Sequence, residues 1–228
     1  MEEVNGILVA AYELKAPLAV LRQLALSLSF DGLSVEDKKV QEEMVGVSER
    51  ALKQINDLMK VPRLEESLFP MEPVAVRAVC DDAVNEITSL FRAGELEIKY
   101  QNRSRLVFAN RELLASVIYN FLTNAMHYVG RGAKAEMVVK ERDGRVRVTI
   151  RDFGPALPMN TWREIKAELI SGPKSVAMRP GSSGLGLYIA SKFAKYMDAK
   201  VGAVRHRDGT SFFVDLPVSK QMDIWSAI

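Results

Sequence analysis

Two successive runs of apolar residues at helical spacing constrain this chain most. Between residues 4 and 29, Ile7, Ala11, Leu14, Leu18, Leu21, Ala25 and Leu28 recur at alternating intervals of four and three, the heptad pattern of a helix that packs along one seam. The turn-like stretch Asp31-Gly32-Leu33-Ser34 breaks the pattern, and Ser34 followed by Asp37 has the form of a capping box that opens a second helix. Its stripe is Val40, Met44, Val47, Ala51, Leu58 and Val61, interrupted by Gln54, and it stops at Pro62. Residues 1–62 are therefore expected to form an antiparallel helical hairpin. Two helices cannot bury both stripes well alone, so a homodimer through residues 4–61, completing a four-helix bundle, is the economical solution. Packing of the hairpin against the rest of its own chain is the alternative.

Pro62, Pro70 and Pro73 punctuate a linker over residues 63–73, after which the texture changes. Helices are predicted over 76–92, 111–129, 161–170 and 184–196. Short strands are predicted over 95–101, 105–109, 135–141, 145–152, 200–206 and 211–216. Arg142-Asp143-Gly144 and Arg207-Asp208-Gly209 read as hairpin connections. Strands meeting by hairpins, with helices segregated between them, indicate an α+β domain over residues 74–219, followed by a tail at 220–228.

Charge and composition remove several functional classes. The 31 basic and 29 acidic residues leave a net charge of +2, and no clustered basic patch offers a nucleic-acid footprint. No apolar run approaches the roughly 18–20 residues that cross a bilayer, and Glu2 and Glu3 stand where a signal peptide would be basic. A cytoplasmic protein is expected. The seam starts within a few residues of Met1, which suggests a parent chain with a sensor or membrane segment upstream. The lone Cys80 cannot form an internal disulfide and is expected to be a small buried hydrophobe. Only two histidines are present, His127 and His206.

Three short segments could carry chemistry. Asn120 and Asn124 lie four apart on one helix face; their amide oxygens could join a magnesium and phosphate site, or simply bond to neighbouring backbone. Asp152-Phe153-Gly154 closes a strand: the carboxylate could accept from an exocyclic amine, or the segment could be an ordinary turn. Gly181-Ser182-Ser183-Gly184-Leu185-Gly186-Leu187 runs from a small flexible loop into an apolar helix, a geometry that suits an anion but equally a tight packing contact.

Taken in order, these segments resemble the N, G1 and G2 boxes of the sensor histidine kinase ATP-binding domain. Tyr12-Glu13-Leu14-Lys15-Ala16-Pro17-Leu18 resembles the family's H box on the first helix of the dimerising hairpin. The resemblance runs from about residue 4 to 218. It implies a two-layer α/β sandwich that holds ATP and Mg2+, and a response regulator receiver domain as partner. By the same resemblance Asp152 accepts the adenine amino group with Gly154 beside it, Asn120 and Asn124 hold magnesium and phosphate oxygens, Tyr128 lies by the adenine and His127 meets phosphate. Ser183, Gly184, Leu185 and Gly186 shape the start of the phosphate-side helix. The loop from Ser171 to Ser183 becomes a lid with Lys174 and Arg179 as phosphate contacts. Within the ATP-binding boxes, Ala156 replaces a glycine of the G1 box, and no phenylalanine box is evident between 158 and 175, only Trp162 and Ile165.

The largest departure is at the phosphoacceptor position, where the family has histidine and this chain has Tyr12. A neutral imidazole offers a free lone pair near pH 7, whereas a phenol with a pKa of about 10 stays protonated. Glu13, which the family uses to orient the imidazole, is retained, while Ala16 replaces the residue that positions water for dephosphorylating the partner. The expectation is a Mg-ATP-binding kinase core whose autophosphorylation is lost or strongly impaired; a naturally degenerate ATP-binding and dimerising module is the alternative. Steady ATP hydrolysis is not expected, because Asn120 stands where ATPases of the wider superfamily carry a catalytic carboxylate. Pro17 removes a helical hydrogen bond inside the first helix and suggests a kink there.

Overall fold

The computed structural model describes residues 2–28, 34–66, 68–90, 95–100, 105–129, 134–171 and 185–220. The chain divides into two compact units, Met1–Glu66 and Ser67–Ile228, so the boundary falls inside the stretch 63–73. Among the described residues, no helix is long and apolar enough to cross a membrane.

The first unit is a pair of helices, α1 (Glu2–Ser27) and α2 (Val35–Lys60), followed by a 3-10 turn over Val61–Glu66. α1 runs through Pro17 without interruption. The predicted capping box is present: Asp37 N donates to Ser34 Oγ at 3.1 Å, and Ser34 N donates to Asp37 Oδ2 at 3.1 Å. The surface between the two helices differs from the stripe read in the sequence. Ala11 and Ala25 are buried, as are Gln41, Ser48 and Ile55, which are spaced by seven along α2. Gln41 closes the end of the hairpin, its Nε2 donating to Ala25 O at 2.6 Å and Leu28 O at 3.1 Å. Ala25 O lies in the last turn of α1 and Leu28 O just beyond it, where the helix has no donors left for them. Arg22 and Glu49 tie the helices further along, at 2.7 Å. Small and polar side chains thus let the helices approach closely, while Leu14, Leu21 and Leu28 of the predicted seam stay exposed together with Val40, Met44 and Val47.

The second unit begins with β1 (Glu72–Val74) and α3 (Val76–Leu90), then β2 (Glu95–Tyr100), β3 (Val107–Ala109) and α4 (Arg111–Val129). It continues through β4 (Lys134–Arg142), β5 (Arg145–Asp152), α5 (Met159–Ser171), α6 (Leu185–Tyr196), β6 (Lys200–His206) and β7 (Gly209–Pro217). The main sheet has the order β2-β4-β5-β7-β6, with β2 and β4 parallel and the other pairs antiparallel. β1 and β3 form a separate antiparallel ribbon. Pro73 is tolerated there because a two-stranded ribbon leaves one edge of each strand unpaired. Both predicted hairpins, β4–β5 and β6–β7, are present. The first turns through Asp143 and Gly144, both at positive φ (51° and 71°), the twist that suits a two-residue hairpin loop.

α4 is the central helix and packs on α3, α6 and β5. Alternate residues of β5, Val146, Val148, Ile150 and Asp152, are buried. Phe121 of α4 stacks on Phe212 of β7 with ring centroids 5.6 Å apart. On the strands' other face Arg147 pairs with Asp215 through two bonds of 2.6 Å and lies over the Phe213 ring. Cys80 is fully buried on α3, and its thiol is pushed up to about 12 by that burial, so it acts as the apolar filler expected of it.

Candidate functional site

Two sets of buried polar groups are candidates, one where the C-terminal half of α4 meets the start of α6 and the other where the end of β5 meets the start of β7. Asn110 sets the register of α4 as its cap: its Oδ1 accepts from Leu113 N at 3.0 Å, and its Nδ2 donates to Pro70 O at 2.9 Å. Three turns on, Asn120 is buried and donates through Nδ2 to Ser116 O at 3.0 Å. That bond turns its Oδ1 towards α6, where a Cβ added to Gly186 would lie 2.7 Å from it. Only a residue without a side chain lets α6 pass so close, so Gly186 and Asn120 are brought together. Asn124, half-buried one turn later, has its Nδ2 enclosed with no partner among the described residues.

Asp152 ends β5 and is 1% exposed. Its Oδ1 accepts from Gly154 N at 3.1 Å and Thr210 N at 3.2 Å, while its Oδ2 is buried with no partner among the described residues. Burial holds the carboxyl above the usual carboxylate range; the two N–H donors and the charge of His206 pull it partly back. Gly209 is required here twice over. Its φ is +129°, and a Cβ on it would lie 2.1 Å from Asp152 O. The sequence shows Gly209 only as a hairpin glycine, and nothing in it singles out Thr210, since threonine is ordinary in a strand. Yet Thr210 supplies one of the two bonds to Asp152 given above, and its own Oγ1 is likewise enclosed with no partner among the described residues. Beyond Gly154, Arg205 Nε donates to Leu157 O at 2.7 Å and holds the chain past Ala156 against β6. Phe153 is exposed, with the Arg151 guanidinium 4.5 Å from its ring centre.

Other predicted residues are placed less fully. His127 and Tyr128 lie in the last turn of α4, with side chains outside the described residues, and Leu185 is the first residue of α6. Lys174, Arg179, Ser183 and Gly184, with nearly all of the predicted lid, lie outside the described residues. Ile165 is fully buried on α5 and Trp162 is half-buried. Tyr12 is 61% exposed on the hairpin beside buried Ala11, and Glu13 is exposed.

Residues 109–220 match the family described as histidine kinase-, DNA gyrase B- and HSP90-like ATPase. They are a histidine-kinase-type ATPase domain. The adaptive-response sensory kinase SasA of Parasynechococcus marenigrum is 25% identical over 91% of this chain and 55% of its own length. The sensor-like histidine kinase SenX3 of Mycobacterium bovis is 23% identical over 91% of this chain and 52% of its own. For another relative, the sensor protein KdpD of Clostridium acetobutylicum, the share of its own length is 23%, so the chain spans from about a quarter to just over half of these proteins. Full-length ShkA, solved in complex with AMPPNP, superimposes with a TM-score of 0.65 at 20% identity, over 94% of this chain and 46% of that one. The Acinetobacter baumannii histidine kinase AdeS gives a TM-score of 0.59 at 17% identity, over 92% and 98%. The chain is thus homologous to sensor histidine kinases, with a helical region followed by a mixed α/β region in their arrangement.

Domains of this family typically take ATP with Mg2+, and the residues present fit that group. A buried carboxylate oxygen with no partner among the described residues suits an exocyclic amine, and the enclosed Asn124 Nδ2 suits an oxygen-rich ligand.

Proposed function

We propose that the chain is a two-component kinase core that binds Mg-ATP at the Asp152 site and carries, at its phosphoacceptor position, a tyrosine that does not receive the phosphoryl group efficiently. The observation that carries this reading is Asp152, a buried carboxylate with one oxygen held by Gly154 and Thr210 and the other waiting for a donor. The adenine amine is the donor the reading assigns to it. Asn120 and Asn124 would hold magnesium and phosphate oxygens, with His127 and Tyr128 on the same helix completing the nucleotide side. The magnesium ion, when bound, neutralises charge on the phosphates and orients the terminal one.

At the hairpin, Tyr12 is exposed enough to be reached. Its phenol is a poor in-line nucleophile beside an imidazole, and Glu13 has no imidazole to orient. The hairpin itself supports dimerisation through residues 4–61. Its interior is occupied by Ala11, Ala25, Gln41 and Ser48, whereas Leu14, Leu21, Val40, Met44 and Val47 are exposed, and a second copy would bury that apolar surface. A response regulator receiver domain is the proposed partner.

Two experiments test this reading. Calorimetric titration with a nonhydrolysable ATP analogue and Mg2+ should show a single site in the unmodified chain; no heat of binding would sink the proposal. Incubation with γ-labelled ATP should label the Tyr12→His variant and leave the unmodified chain dark. A variant that binds nucleotide and stays dark would favour the second reading, a degenerate module whose outputs are ATP binding and dimerisation.

A further inference from the structure

β7 leaves the Asp152 site at Gly209 and ends at Pro217, eight strand steps or roughly 25 Å away. At that far end the domain has an open groove of about 520 Å3, lined chiefly by Met71, Phe108, Tyr196, Met197, Pro217 and Val218. Its size is within the range of about 300–1,000 Å3 typical of ligand pockets. The walls are tied in place. Tyr196 Oη donates to Phe69 O at 3.0 Å, and the two rings meet edge to face. Ser219 N donates to Leu106 O at 2.7 Å, and Val218 bridges Val107. Despite this, Phe108 is 45% exposed, an aromatic ring left half in water on a short ribbon.

The chain itself indicates what covers it. Lys220 lines the same groove, and the residues that follow it, outside the described ones, are Gln221-Met222-Asp223-Ile224-Trp225-Ser226-Ala227-Ile228. Met222, Ile224, Trp225 and Ile228 are large and apolar, and Asp223 is the single charge among the eight. An extended chain advances at most about 3.3–3.6 Å per residue, so Ile224 and Trp225 stay within roughly 13–18 Å of Lys220. A segment tethered at the rim competes at millimolar effective concentration, far above that of a free partner. We infer that residues 221–228 fold back into this groove, with Trp225 as the anchor against Phe108 and Met71. Seated there, the segment clamps the β1–β3 ribbon to the end of α6.

The chain has two tryptophans, Trp162 and Trp225, so Trp162→Phe leaves Trp225 as the only indole. In that background Trp225 should emit at shorter wavelength than a synthetic 218–228 peptide and be quenched by acrylamide several-fold less. This shielding should persist on serial dilution. Adding Phe108→Glu, or Met71→Glu as an independent second change, should return Trp225 to peptide-like emission and quenching with the circular dichroism unchanged. Trp225→Ala should speed amide exchange at Val107–Ala109. Peptide-like quenching of Trp225 in the Trp162→Phe protein would overturn the inference without any groove variant. So would shielding that survives both groove variants, which places the indole elsewhere, or shielding that fades on dilution, which makes a second copy the occupant.

Discussion

Replacing Asp152 by Asn separates the proposed role of this side chain from any structural one, because the two roles move in opposite directions. The amide is nearly isosteric, and its oxygen can still accept from Gly154 N and Thr210 N, at 3.1 and 3.2 Å in the parent. The atom that replaces the unpartnered Oδ2 becomes an NH2 donor, which faces an incoming amine with the wrong polarity. A hydrogen bond to a charged acceptor contributes about 1.5–3 kcal/mol, so nucleotide affinity should fall by roughly 10- to 150-fold. Stability without nucleotide should not fall with it. Burial raises the folded-state pKa of Asp152 above its unfolded value. The ionised form therefore costs stability above that folded pKa, and the cost disappears as pH falls through it towards the unfolded value. The Asn variant never carries this cost, so its ligand-free melting temperature at pH 7 should equal or exceed the parent's, with the difference closing at acid pH. Calorimetric titration and thermal unfolding at pH 7 and pH 5 measure both arms. At a nucleotide concentration a hundredfold above the parent Kd, nucleotide should stabilise the parent by about 2.7 kcal/mol and the variant by about 0.3–1.4 kcal/mol. Wild-type affinity in the variant would refute the adenine contact. A large loss of ligand-free stability would show that the carboxylate is held for the fold instead.

Parent affinity for the ATP analogue should itself weaken as pH falls through the raised Asp152 pKa, since the protonated oxygen no longer accepts; a titration series at constant ionic strength checks this. Gly186→Ala pushes a methyl to 2.7 Å from Asn120 Oδ1 and should destabilise the domain by about 1–3 kcal/mol in denaturant unfolding while weakening nucleotide binding. Gly209→Ala combines a φ of +129° with a contact of 2.1 Å to Asp152 O, so a larger loss of about 2–6 kcal/mol is expected, read as a lower melting temperature or insoluble expression. Gln41→Ala removes the two bonds to Ala25 O and Leu28 O at the end of α1 and should lower hairpin stability by about 1–3 kcal/mol.

Much of this architecture is visible in local patterns. Heptad spacing marked both helices of the hairpin, Ser34 and Asp37 announced the cap, and Asp143-Gly144 announced the turn, because each depends on residues within a few positions of one another. The ordered boxes around Asn120, Asp152 and Gly184 likewise pointed to the ATPase domain. The parallel pairing of β2 with β4 and the ribbon of β1 with β3 were not visible, since each joins segments more than thirty residues apart and short strands carry no mark of their partner. The hairpin's real interior was hidden for a related reason. Gln41 and Ser48 are polar by composition and buried only because the last carbonyls of α1 and the close approach of Ala11 and Ala25 make room for them.

What the sequence alone determined is therefore the order of elements, the two-part organisation and the residue types available for chemistry, including the tyrosine at position 12. Tertiary structure decided which of those residues have unmet bonding capacity. Asp152 becomes distinctive when Thr210, fifty-eight positions away, takes one of its oxygens, and Gly209 leaves no room for a side chain at its carbonyl. Burial and hydrogen-bond completeness are properties of the packed chain, and a linear pattern cannot express them.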